Sequence, residues 1–132
     1  MKLTITDNDI KRSTPPSDGW HLVKVINFTA KKRPAGKEGF EYWFDLEVLK
    51  SDPDVKADNT GRVQPTIFYS TGMGFMIPFV AAVLEMPITK ETPFEPENFV
   101  GKEVMAQQES GVYENKPTRK WVNFAPASGC PF

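Results

Sequence analysis

Residues 40–49 read FEYWFDLEVL and alternate apolar with polar side chains, which predicts a β-strand with one face in a hydrophobic core. The apolar parity consists of Phe40, Tyr42, Phe44, Leu46 and Val48. The other parity carries three acids and Trp43, and we expect it to face away from the core because successive side chains of a strand point to opposite faces. The segments on either side supply the strands that this one needs as partners.

Four further strands are predicted around it. The segment WHLVKVINFTA, which starts at Trp20, is rich in β-branched and aromatic residues and predicts a well-covered first strand. Residues 62–70, RVQPTIFYS, predict a third strand, in which Pro65 favours an edge position or a bulge. Residues 102–109 and 119–125 predict the last two strands, joined by a hairpin that contains glycine, asparagine and proline.

One short helix is predicted between the third and fourth strands, over residues 75–86. Its apolar side chains can share one helical face: Phe75, Phe79, Val80, Val83 and Leu84. Pro78 is tolerable there only in the first turn. The order β-β-β-α-β-β matches the five-stranded Greek-key barrel of the OB-fold, whose ligand surface uses strands 2 and 3 and the 1–2 and 4–5 loops. A split α+β sheet is the main alternative.

The length of 132 residues suits a single domain, which we place at residues 19–126. Residues 1–18 are predicted to be a flexible or extended arm, and residues 127–132 a tail. The arm is charged where a signal peptide would be apolar, and the longest apolar stretch is too short to span a bilayer. A lone Cys130 fits a reducing compartment. We therefore expect a cytoplasmic protein without a membrane anchor.

Charge is balanced overall but not locally. Sixteen Lys and Arg against seventeen Asp and Glu give a net charge of −1, so bulk charge cannot recruit nucleic acid, and a local patch would have to do so. Seven of the sixteen cations lie in or beside the two loops that flank the predicted ligand groove: Lys31, Lys32, Arg33, Lys37, Lys116, Arg119 and Lys120. Gly36 and Gly39 should let the first loop bend and close on a ligand.

Aromatic residues lie between these two loops. Parity predicts that Trp43, Phe68 and Trp121 point outward, and the hairpin adds Tyr113. Cations that follow phosphates and rings that stack on bases are typical of proteins that bind single-stranded nucleic acid. Three acids on the face of Trp43 oppose this interpretation because they repel phosphate: Glu41, Asp45 and Glu47. A solvated basic turn, with Trp43 covered by the 87–99 connection, is the alternative.

Several short motifs in this order resemble small bacteriophage single-stranded-DNA-binding proteins. They are Gly19-Trp20 at the start of strand 1, the glycine-interrupted loop before FEYWFDLEV, the apolar helix, FVGK at 99–102 and KWVNF at 120–124. The resemblance covers roughly residues 19–126. It implies an OB-fold, sequence-tolerant binding of single strands in phage replication or recombination, and a host bacterial cytoplasm. It brings no catalytic residues.

The C-terminus departs from the wider class of single-stranded-DNA-binding proteins. In that class an acidic stretch precedes a terminal Pro-Phe that docks replication partners. Pro131-Phe132 is present here, but the preceding APASGC contains no acid. Docking of replication or recombination proteins through Phe132 and an accidental Pro-Phe on a free terminus both stay open.

Motifs for catalysis, cofactors and metals are weak. His21 and Cys130 lie at opposite ends of the chain, and the glycine stretches lack the pattern of a dinucleotide or phosphate loop. The acidic turn at 52–58 has Lys56 where a calcium loop needs an oxygen ligand. We therefore predict no catalytic residue, no cofactor and no metal. A protein-binding β-barrel adaptor is the main alternative to the single-strand binder, and a nuclease that uses the strand carboxylates is a third.

Overall fold

Five antiparallel strands dominate the computed structural model, which describes residues 1–132. The strands are β1 (Gly19–Lys32), β2 (Phe40–Ser51), β3 (Val63–Tyr69), β4 (Glu103–Tyr113) and β5 (Lys116–Pro126). Their order is β3-β2-β1-β4-β5, so the sheet is open and β3 and β5 form its two edges. The prediction of a mainly β, five-stranded fold is confirmed. Pro65 lies in an edge strand, where the missing N–H costs least.

Two α-helices accompany the sheet. Helix α2 (Ile77–Leu84) lies between β3 and β4 as predicted, with its proline in the first turn. Helix α1 (Asp7–Ser13) falls in the predicted arm and was not anticipated. It begins with a capping box, in which the Thr6 hydroxyl accepts from the Asp9 N–H and the Asp9 carboxylate accepts from the Thr6 N–H. Neither helix has the length and apolar content needed to cross a membrane.

Aromatic rings fill the space between the curled sheet and α2. Phe79 of α2 lies 4.9 Å from Phe44 and from Phe124 between ring centres, and 5.4 Å from Phe68. Phe99, which lies in the 3₁₀ turn before β4, closes this cluster and is also buried. The core is therefore built on the inner face of the strands, with α2 packed across it.

The predicted core parity of β2 is confirmed only in its second half. Phe44, Leu46 and Val48 are fully buried, whereas Phe40 is 49% exposed. Phe40 is the first residue of β2 and pairs with Lys32 at the last residue of β1. Alternation therefore identifies the inner face of a strand correctly, but it does not show where along the strand the core ends.

Phe75 is a second apolar residue that the structure places outside the core. The predicted helix included it, but α2 begins only at Ile77, after a 3₁₀ turn over Ser70–Met76 in which Gly72 has non-helical dihedral angles. The helical period therefore does not extend to Phe75, whose side chain is 84% exposed. The glycines on either side of Met73 are the sequence feature that favours a turn here.

The two edges of the sheet are bridged by side-chain hydrogen bonds rather than by a backbone ladder. Gln64 of β3 and Gln108 of β4 exchange two amide hydrogen bonds of 3.2 and 3.0 Å. The Trp121 indole Nε1 of β5 donates to the Gln64 carbonyl oxygen at 3.1 Å. The sheet therefore curls until β3 and β5 approach each other, and these contacts fasten the seam between them at one end.

The last four residues of the predicted arm, Pro15–Asp18, are fixed to the sheet, and we call them the proline clasp. Their backbone groups bond to Arg62, Arg119, His21 and Asn59. The Nε2–H of His21 donates to the carbonyl oxygen of Ser17 at 2.7 Å, so its Nδ1 accepts from the Ser51 hydroxyl. Burial lowers the pKa of this imidazole.

Candidate nucleic-acid interface

Trp43 lies on the outer face of the sheet, as its parity predicts. Its half-buried ring is outside the core cluster, and the Lys31 ammonium lies 4.0 Å above the ring centre. Its Nε1 donates to the Glu41 carboxylate at 3.0 Å. A cation therefore contacts the face of the indole and an acid contacts its edge, and neither partner belongs to the 87–99 connection.

A second pair of a cation and an aromatic ring lies at the end of β3. The guanidinium carbon of Arg33 lies 4.5 Å from the ring centre of Tyr69, which is 40% exposed. Arg33 Nε is buried and has no hydrogen-bond partner. Glu41 and Trp43 pair with Tyr69 and Ile67 across the β2–β3 ladder. Directly opposed residues share a face, so both pairs lie on one continuous surface.

A groove of about 610 Å³ lies beside this surface, between the edge strands β3 and β5, and we call it the seam groove. Its floor is lined by buried side chains: Thr66, Phe68 and Trp121. Its rim carries two cations and two exposed aromatic rings: Arg33, Lys120, Tyr69 and Phe75. A ligand that enters this groove can therefore contact the aromatic residues on its floor.

Phe68 and Trp121 do not point outward, so their predicted orientation is wrong. Each is 7% exposed and belongs to the core cluster. Phe68 pairs with Tyr42, which has the core parity of β2. Trp121 directly precedes a bulge, because Val122 is an extra residue of β5 opposite Gln107 and Gln108, and this interrupts the alternation between Trp121 and Phe124. Both rings nevertheless line the seam groove from below.

Three of the four cations predicted in the 1–2 loop are exposed, whereas Arg33 is half-buried. Lys31 and Lys32 end β1, and Lys37 lies in the loop. Gly36 and Gly39 have φ of 90° and 89°, which are left-handed values that glycine adopts without steric cost. The bend of this loop therefore depends on the two glycines, as expected.

The cations of the 4–5 hairpin are in different situations. Lys120 lies on the rim of the seam groove. Tyr113 and Lys116 flank a two-residue turn and are exposed, but they do not line the groove. Arg119 is engaged by the proline clasp, since its Nη1 donates to the Pro16 carbonyl oxygen at 3.0 Å and lies 3.8 Å from the Asp18 carboxylate. Arg119 therefore has a structural partner that local sequence does not show.

The three acids of the outer face each have a partner within the protein. Glu41 accepts from the Trp43 indole, and Asp45 accepts from the Asn27 amide at 3.4 Å. Glu47 forms an ion pair of 3.2 Å with Arg12 of α1. The ion pair offsets the charge of Glu47, and this lowers the repulsion of phosphate that the sequence predicts.

No group of three or more His, Cys, Asp or Glu side chains is arranged to share a metal ion. Comparison of the chain with protein-family models and with curated proteins gives no match. The function must therefore be inferred from the side chains themselves. The residues that sequence reasoning missed are Tyr69, at the end of an apolar strand, and Phe75, which the apolar helix pattern assigned to the core.

Proposed function

We propose that this protein binds single-stranded DNA without sequence preference. The observation that carries the proposal is the row of two cation–aromatic pairs on the outer face, Lys31 with Trp43 and Arg33 with Tyr69, beside the seam groove. Single strands expose both phosphates and base faces, which these two kinds of side chain bind. A duplex keeps its base faces stacked internally and therefore offers only half of this chemistry.

The Lys31 ammonium occupies one face of the Trp43 ring, and relative magnitudes decide what happens when a base arrives. An exposed cation–π contact is worth about 0.5–1 kcal/mol, whereas a base stacked on an aromatic side chain is worth about 1–3 kcal/mol. The base therefore displaces the ammonium from the ring. The flexible lysine stem then lets the charge move to a neighbouring phosphate, so that one pair serves both parts of a nucleotide.

We further propose that the architecture is an OB-fold. The OB-fold is a partly open five-stranded Greek-key barrel whose strands 2 and 3 bear the ligand. Three features support this assignment: β1 pairs with both β2 and β4, α2 lies between β3 and β4, and β3 approaches β5 through side-chain contacts. The resemblance to small phage single-stranded-DNA-binding proteins supports a role in phage DNA replication or recombination in the host cytoplasm.

The protein-binding adaptor is kept as the competing function. Phe132 is half-buried, and its carbonyl oxygen accepts from the Cys130 thiol at 3.2 Å. Docking of replication or recombination proteins through Phe132 stays a prediction. The deciding experiment is a titration of the intrinsic tryptophan fluorescence with oligo-dT and with the matched duplex. Quenching by oligo-dT alone supports the single-strand binder, and no response to either favours the adaptor.

The first prediction concerns salt. With ~3–5 phosphates neutralised, a plot of log K for oligo-dT against log salt should have a slope of about −2 to −3.5. Replacement of Lys31, Lys32 and Lys37 together by Ala should make this slope shallower without lowering the melting temperature, because exposed charges contribute little to folding. The matched control removes Lys50, Lys56 and Lys90, which are equally exposed but lie outside these loops. Equal effects of the two triple variants would contradict the proposal.

The second prediction concerns Trp43. Trp43→Ala should weaken oligo-dT binding by about 1–3 kcal/mol, because a stacking surface for one base is lost. Trp43→Phe should retain much of the affinity, since a smaller ring still offers an aromatic face. The free energy of unfolding should change little because the ring lies outside the core. Folded Trp43→Ala protein with wild-type affinity for oligo-dT would remove the stacking role.

A further inference from the structure

The seam groove is a pocket, and its volume and lining distinguish it from the outer face of the sheet. Its volume of about 610 Å³ falls within the ~300–1,000 Å³ typical of small-ligand sites. We infer that it takes one nucleotide out of the bound strand, with the base among the aromatic rings and the phosphate on Arg33 and Lys120. This inference rests on the proposed function and adds to it a second mode of contact.

Phe75 is the first observation in support. A phenylalanine that is 84% exposed contributes almost nothing to the core, yet a 3₁₀ turn holds it on the rim of the groove. Gly72 lies beside this ring, where an added Cβ would be in ordinary van der Waals contact with it at 3.4 Å. A base that enters the groove would bury the ring and supply the packing partner that it lacks.

Unused polar groups are the second observation. Arg33 donates no side-chain hydrogen bond within the protein, and its Nε is shielded from solvent without an acceptor. Buried polar groups in proteins nearly always have partners. A guanidinium stacked on a tyrosine presents its donors in a fixed plane, and this geometry suits a phosphate. The Thr66 hydroxyl on the groove floor also has no partner within the protein, and it offers a hydrogen bond to a base edge.

The unpaired strand edges are the third observation. Because no ladder joins β3 to β5, backbone N–H and C=O groups along the seam have no strand partner, although the carbonyl oxygens of Gln64 and Arg119 accept side-chain hydrogen bonds at one end. Such groups can bond to donors and acceptors of any base, so the groove accepts bases without strong selection. This agrees with the sequence tolerance of the proposed function.

A peptide strand that adds to these edges would be the other use of such a seam. Two features oppose it. Pro65 removes one donor from the β3 edge, and the bulge in β5 interrupts the regular spacing that a ladder needs. The cations Arg33 and Lys120 on the rim also match a phosphate better than a neutral peptide backbone.

The test compares two probes of equal length on the full-length protein: oligo-dT and an abasic deoxyribose-phosphate oligomer. Phe75→Ala should weaken oligo-dT binding by about 5- to 150-fold, the range expected for one stacked base, and leave abasic binding unchanged. Arg33→Gln should weaken both probes, because it removes a phosphate contact. Met86→Ala is the control, since Met86 is 48% exposed and does not line the seam groove.

A cross-linking experiment locates the base. Irradiation of the complex with an oligonucleotide that contains 5-bromouracil should attach it to Tyr69, Phe75 or Trp121. Wild-type oligo-dT affinity in folded Phe75→Ala protein, with cross-links confined to other residues, would overturn the nucleotide pocket and leave the proposed function intact. If the wild-type protein binds no oligo-dT at all, the proposed function fails, and this inference fails with it.

Discussion

Phe79→Ala should lower the free energy of unfolding by about 3–5 kcal/mol, because it opens a cavity where aromatic rings meet. The Phe79 side chain is fully buried, and the rings of Phe44, Phe68 and Phe124 lie between 4.9 and 5.4 Å from it. The core residues around the cavity are already packed against one another, so helix α2 cannot move toward the sheet and fill the space. Chemical denaturation measures the effect directly.

The matched control for this variant is Phe75→Ala, which removes the same side chain four positions earlier. Phe75 is 84% exposed, so its loss should change stability by less than about 0.5 kcal/mol. A Phe79→Ala protein that unfolds at the wild-type denaturant concentration would mean that α2 lies outside the core. Equal losses in both variants would show that the boundary between the 3₁₀ turn and the helix is misplaced.

Trp121→Ala should also cost about 3–5 kcal/mol of stability, in contrast to Trp43→Ala. Trp121 is 7% exposed, lies edge-on to the His21 ring at 5.9 Å, and donates its indole N–H to Gln64 across the seam. Its removal leaves a cavity and takes one of the seam's hydrogen bonds away from the Gln64 carbonyl oxygen. Thermal or chemical unfolding of the two alanine variants, measured side by side, separates the core tryptophan from the tryptophan on the outer face.

Trp121→Phe refines this prediction. Phenylalanine keeps most of the packing but leaves the Gln64 carbonyl oxygen without its donor, so we expect a smaller loss than for alanine, of about 1–3 kcal/mol. If Trp121→Ala melted like the wild-type protein and lost only oligo-dT affinity, the original sequence interpretation of Trp121 as an outward stacking residue would be correct after all.

Local pattern was sufficient for the five strands, for the presence of α2 and for part of the inner face, but it missed helix α1. Alternation identified Phe44, Leu46 and Val48 as core, and Pro65 and Pro78 indicated an edge strand and a first helical turn. These properties depend on side chains that are near in sequence. The start of α2 was misjudged because an apolar run has the same appearance in a helix and in a glycine-containing turn.

Residues whose position depends on distant partners could not be predicted in this way. Trp121 turned inward because of a bulge, and β3 is apolar on both parities at Ile67 and Phe68, so only the closing of the sheet decides its inner face. The cationic loop of the candidate site was visible in the sequence. The pairing of Arg33 with Tyr69 was not, because the two residues belong to different elements.

The proline clasp has a consequence for the order of folding. Pro16 and its partner Arg119 are 103 residues apart, so the clasp can close only after β5 has joined the sheet. Contacts of such long sequence separation form late, because the intervening chain must be ordered first. The same segment should open first when the protein is stressed, since side-chain to backbone hydrogen bonds, rather than a strand ladder, hold it in place. Opening would release the Arg119 guanidinium and take the Asp18 carboxylate away from it, so a partly unfolded molecule would be more cationic at the hairpin than the native one.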